Sequence, residues 1–96
     1  MMLLTLISSP MIEDELIDWL LLNPEIGGFT TSASKGHGSS HAMSLTEEVS
    51  GRLEQINFYV QLPANATESV ITGLKQRFSG SGLHYWLMPL NAAGTF

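Results

Sequence analysis

Short apolar runs alternate along the chain with stretches whose apolar residues recur at helical spacing, and the pattern predicts six elements. Leu3 to Ile7 is apolar apart from one threonine, as expected of a strand covered on at least one face. Ser8-Ser9-Pro10 ends it. Ser9 can cap a following helix, and Pro10 suits the first turn, where no amide donor is needed. Glu13, Asp14 and Glu15 favour the positive end of that helix. Ile12, Leu16, Trp19 and Leu20 form one apolar stripe, which Ile17, Leu21 and Leu22 widen. Asn23-Pro24 stops the helix, because proline disfavours helical geometry in the residue before it.

Gly27-Gly28 marks a turn, and Phe29 to Ala33 reads as a short strand. Ser34 to Ser44 has no apolar periodicity and is rich in glycine and serine, which predicts a flexible loop over about 34–50. Gln55 to Leu62 alternates: Ile56, Phe58, Val60 and Leu62 face one way, Asn57, Tyr59 and Gln61 the other. Pro63 closes this strand. Asn65 followed by Glu68 resembles a capping box, and Val70, Ile71, Leu74 and Phe78 make the stripe of a second helix. Gly80 is its expected C-terminal cap. Leu83 to Leu90 is a last strand, and Pro89 near its end places it at a sheet edge.

The order strand, helix, strand, strand, helix, strand predicts one α+β domain over residues 1–96. It is a ferredoxin-like βαββαβ sandwich, a four-stranded antiparallel sheet with both helices on one face and the first and third strands central. Tyr85, Trp86, Leu87 and Met88 in succession make both faces of the last strand apolar. The sheet face away from the helices is therefore expected to meet a partner, and oligomerisation follows.

Composition narrows the function classes. The 96 residues are 44% hydrophobic and contain no cysteine, so neither disulfide nor thiolate contributes, and a reducing, cytoplasmic setting fits. The formal net charge is -5. The four bases, Lys35, Arg52, Lys75 and Arg77, are scattered, which argues against binding nucleic acid. The apolar start, Met1 to Ile7, is too short for a signal peptide or a membrane span, so no direct membrane insertion is expected. No spacing suggests a Ser-His-Asp triad, and the expectation is a binding protein, not an enzyme.

Candidate chemistry centres on the glycine-rich segment. His37 and His41 are four residues apart, with Met43, Glu47 and Glu48 nearby, a plausible ligand set for a transition metal ion. Such a pair meets only where the backbone turns helically, and the competing reading is a solvated segment with incidental histidines. His84, beside the aromatic run, reads as a packed or edge histidine. Trp19 and Trp86 read as core or interface residues. Glu13, Asp14, Glu15 and Asp18 read as a solvated helix face.

Gly28-Phe29-Thr30-Thr31, followed by Ser34-Lys35-Gly36-His37-Gly38 and by the strand Gln55 to Pro63, resembles the PII-like signalling proteins. The chain is most similar to the small PII-like proteins of the DUF3240 type, often encoded beside heavy-metal efflux pumps. The resemblance implies a homotrimer with clefts between subunits. It also implies a long loop that docks on a membrane transporter or efflux pump, and an effector site at the base of that loop. Carried onto this sequence, the anion-binding positions are Lys35, Gly36 and Gly38 together with Gly80 and Gly82. The departures are cationic. Gln55 replaces the phosphate-contacting lysine, Ser40 the magnesium-ligating glutamine, and Gly80-Ser81-Gly82-Leu83 lacks the lysine of the second phosphate loop. No arginines follow the last strand. Compensating a triphosphate requires several cations, so these losses weigh against ATP and leave a smaller anion or a transition metal ion as the effector. The alternative is a non-switching metal-tolerance or structural protein, similar in outline to CutA, that binds no nucleotide.

Overall fold

In the computed structural model, residues 1–38 and 53–96 are described. The first strand, β1 (Met2–Ser8), is followed by a 3-10 turn over Pro10–Ile12 and by helix α1 (Glu13–Leu22). Strands β2 (Phe29–Gly36) and β3 (Leu53–Leu62) come next. A second 3-10 turn (Ala64–Ala66), helix α2 (Thr67–Phe78) and strand β4 (His84–Pro89) complete the chain. The sheet order is β2-β3-β1-β4 with every neighbouring pair antiparallel, so β1 and β3 are central as their apolar content requires. This is the expected α+β ferredoxin-like arrangement.

The period-two alternation of the strands separates two faces. Leu4 and Leu6 of β1 and Phe58, Val60 and Leu62 of β3 are fully covered, and they join Leu16 and Leu20 of α1 and Val70, Leu74 and Phe78 of α2 in one core. Both helices therefore lie on the same side of the sheet. Each fully buried side chain of this size stabilises the fold by about 1.5–3 kcal/mol, so this layer is the main source of stability in a chain without disulfides. Trp19 packs edge to face on Phe78, and Arg77 Nη2 donates to Glu15 Oε2 at 3.0 Å, tying α1 to α2 at the surface.

Several local expectations are corrected. β2 runs on to Gly36, so Ser34, Lys35 and Gly36 belong to a strand and not to the loop placed over about 34–50. Their partners Gln55, Glu54 and Leu53 supply a ladder that overrides poor strand propensity. Leu21 and Leu22 do not widen the buried stripe of α1. They are 66% and 83% exposed, because the sheet covers only the Leu16–Leu20 side. Ser9 and Asn65 make no side-chain cap; a 3-10 turn opens each helix instead. At the other end of α2, Gly80 has φ +80, the left-handed geometry its capping role predicts.

Candidate functional site

The strand register lays out the sheet face that the helices leave open. One row across it is Thr30, Tyr59, Thr5 and Trp86; the next is Ser32, Asn57, Ile7 and His84. Beyond Ile7 the face ends in Ser34 and Gln55. At this end of the sheet the chain leaves β2 and re-enters β3, and a groove of about 570 Å³ lies there. It is lined by Ile7, Ser34, Lys35, Gly36, His37, Gln55, Asn57, His84 and Trp86.

Each wall has a local cause. Gly36 makes room for Gln55: a Cβ there would stand 2.7 Å from the Gln55 amide nitrogen and 2.8 Å from its carbonyl oxygen. A neutral amide donor is thus held against the backbone at the position where the resemblance expects a lysine. Ser34 Oγ donates to Asn57 Oδ1 at 2.9 Å, and Asn57 Nδ2 donates to Tyr59 Oη at 3.1 Å. Ser32 Oγ donates to the same Tyr59 oxygen at 3.2 Å. The Ser32 bond, then the Asn57 bond, holds the Tyr59 phenol below the ordinary tyrosine range, opposed by a weaker desolvation effect. On the far wall the His84 ring meets Trp86 edge to face at 4.9 Å between centroids.

The groove is rich in donors. His37 and His84 line it with the Gln55 and Asn57 amides and the Ser34 hydroxyl. Lys35 borders it at the strand end, where alternation assigns its side chain to the other face, and no carboxylate lines the groove among the described residues. Glu54 stands opposite Lys35 in the ladder but is not part of the lining.

The candidate residues divide between two places. Lys35, Gly36 and His37 lie at the groove, and Gly38, just beyond, has φ +138 in open space. Gly80 and Gly82 line a different cavity, between β4 and α2, so one chain by itself does not bring the two glycine-rich segments together. His41 lies outside the described residues, as do Ser40, Met43, Glu47 and Glu48. Among the described residues no three His, Asp or Glu side chains cluster in a way that would hold a metal ion. The histidine that shares the groove with His37 is His84, which by sequence reads as a packing residue. Ser34 and Asn57 also line the groove without having stood out as candidates. The available signal was the alternation of β3, which puts Gln55, Asn57 and Tyr59 on one face.

The open face carries apolar area as well. Trp86 is 53% exposed, Met88 49% and Tyr59 36%. No helix among the described residues is long and apolar enough to cross a membrane.

Comparison with known proteins places the chain. It is similar to a DUF3240 family protein from Shewanella baltica OS155, whose crystal structure matches with a TM-score of 0.81 at 25% identity, covering 99% of this chain and 94% of that one. A protein from Thermus thermophilus, described as a putative PII-like signaling protein, shares the fold with a TM-score of 0.64 at 15% identity, over 90% of this chain and 82% of its own. None of the curated proteins matches. The family model described as protein of unknown function (DUF3240) matches residues 1–96, and the chain belongs to that family.

Proposed function

We propose that this chain is a PII-like signalling or adaptor protein that binds a small anionic effector in the groove where β2 ends and β3 begins. The observation that carries this reading is the lining itself. Lys35 at the end of one edge strand, His37 just beyond that strand and His84 from the other edge strand line one groove with two amides and a hydroxyl, and no acid lines it among the described residues. Hydrogen-bond donors without a competing carboxylate favour an anion, through charge-assisted hydrogen bonds. Two imidazoles in one groove also support a second reading, a transition metal ion held by His37 and His84.

The rest of the proposal follows the resemblance. The protein acts as a cytoplasmic homotrimer, joined through the open sheet face that exposes Trp86 and Met88. The segment joining β2 to β3 carries the ligand signal to a membrane transport system of the heavy-metal efflux kind. A ligand shifts such a system only by differential affinity for its two states, so the groove must differ between them.

Isothermal titration with inorganic phosphate, AMP, ATP, zinc and nickel tests the reading. An anion binder takes phosphate or AMP, loses that affinity on Lys35→Ala and His84→Ala, and ignores the metals. A metal binder shows the reverse, with loss on His37→Ala and His84→Ala. Absence of binding by all five probes rejects a groove-based effector of either kind. Gly36→Ala is informative because its cost falls on the flexible end of Gln55: binding changes while folding is largely kept.

A further inference from the structure

The cavity that takes in Gly80 and Gly82 lies on the helix side of the sheet, away from the groove, and has a different chemistry. Its volume is about 320 Å³. The floor is Leu6, Leu74 and Phe78, and the walls are Ile71, Leu83 and Tyr85. Leu6, Leu74 and Phe78 are buried members of the core, so the cavity opens directly onto the apolar layer. Lys75 is the one charged side chain in its lining among the described residues.

The mouth is held open by the turn after α2. Gly80 and Gly82 have φ of +80 and +81, and a Cβ at either would meet nothing within 4 Å. Between them Ser81 is fixed twice: its hydroxyl donates to the Phe78 carbonyl at 2.6 Å and accepts from the Leu83 amide at 3.2 Å. The rim is therefore pre-formed, which lowers the ordering cost of binding.

The charge at the mouth selects the ligand. Both cations of α2's last turn suit the negative end of the helix dipole. Arg77 is taken up by Glu15 and lies 5.1 Å over the Phe78 ring. Lys75 has no carboxylate partner among the described residues, and none of their acids lines the cavity. An apolar body in the cavity with its negative group at the rim satisfies both surfaces.

We infer that this cavity is a binding site for a small free monocarboxylate with an apolar body, its carboxylate paired with Lys75. Pockets for small molecules are typically apolar concavities of this size with one or a few placed polar groups. An empty cavity of about 150 Å³ takes benzene, so roughly twice that volume takes two fused rings or a chain of about ten carbons. It does not take the paired long chains of a bilayer lipid. The inference goes beyond the proposed function and is independent of it, since the two cavities share no lining residue.

Methyl-resolved NMR of the full chain, titrated with decanoate below its micelle concentration and in parallel with 1-decanol, tests it. The expected result is saturable shifts at Ile71, Leu74 and Leu83, with decanol binding more weakly than decanoate. Lys75→Glu should weaken decanoate by about fivefold or more, in the range of an exposed ion pair, and leave decanol unchanged. Ser79→Trp, at the exposed rim, should block both ligands. Absence of shifts, shifts that trace the open sheet face instead, or equal affinity for decanol and decanoate overturns the assignment. The methyl shifts report location in the unmodified protein, so the test does not depend on either variant folding.

Discussion

Gly73 lies so close to Trp19 that a Cβ on the glycine would stand 2.8 Å from the Trp19 Cζ2 atom. The two helices approach face to face at this point, and the indole ring is braced by Phe78. Alanine in a helix interior is favoured over glycine by about 1 kcal/mol, but overpacking against the Trp19 ring, which packs on Phe78, costs about 1–3 kcal/mol. Packing wins. Gly73→Ala should destabilise the protein by about 1 kcal/mol, lowering Tm by roughly 4–8 °C. In a Trp19→Phe background the same change should lose most of its penalty, which urea denaturation of the double-mutant cycle would measure.

The apolar residues of α1 should separate sharply by exposure. Leu20 is fully buried and Leu22 is 83% exposed, though both are leucines two positions apart in one helix. Leu20→Ala is expected to cost about 2–5 kcal/mol, while Leu22→Ala should stay within about 0.5 kcal/mol of the parent. Equal urea midpoints for the two variants would contradict the placement of α1 on the sheet.

The Arg77–Glu15 pair links the helices but is solvated, with 54% and 56% of the side chains exposed. Glu15→Gln should therefore cost less than about 1 kcal/mol, and the difference should shrink in high salt. Thermal melts at low and high ionic strength would read both effects.

Tyr59 should ionise early. Ser32 and Asn57 both donate to its oxygen, which favours the phenolate and lowers the folded-state pKa below the ordinary value of 10.0. The sign follows from linkage. Stability from this group is absent at neutral pH, grows as pH rises through the lowered folded value, and is complete above the unfolded value. Ultraviolet titration, with Tyr59→Phe to identify the signal, should show this phenol moving back upward on Ser32→Ala. An unchanged titration would separate Tyr59 from the Ser32 hydroxyl.

Much of the fold is legible from local pattern alone. The alternation of Ile56, Phe58, Val60 and Leu62 and the spacing of Val70, Leu74 and Phe78 name the buried faces, because a strand repeats every two residues and a helix every 3.6. Pro89 identifies an edge strand, since it cannot donate to a ladder. Gly80 marks a helix end through the positive φ that other residues rarely adopt. These signals act over a few residues, so the sequence by itself determined six elements, their order and most of the core.

Only tertiary structure decided the rest. The extension of β2 through Gly36 depends on hydrogen bonds offered by Leu53 to Gln55, which local composition does not show. The exposure of Leu21 and Leu22 depends on which side of α1 the sheet covers. That His37 and His84 line one groove depends on the β2-β3-β1-β4 order, which brings the ends of two edge strands to it. The separation of Gly80 and Gly82 from Lys35 and Gly36 has the same origin, because the first pair opens toward the helices and the second borders the open face. Contacts between residues distant in sequence are set by strand register and helix packing, and those are properties of the whole chain folded at once.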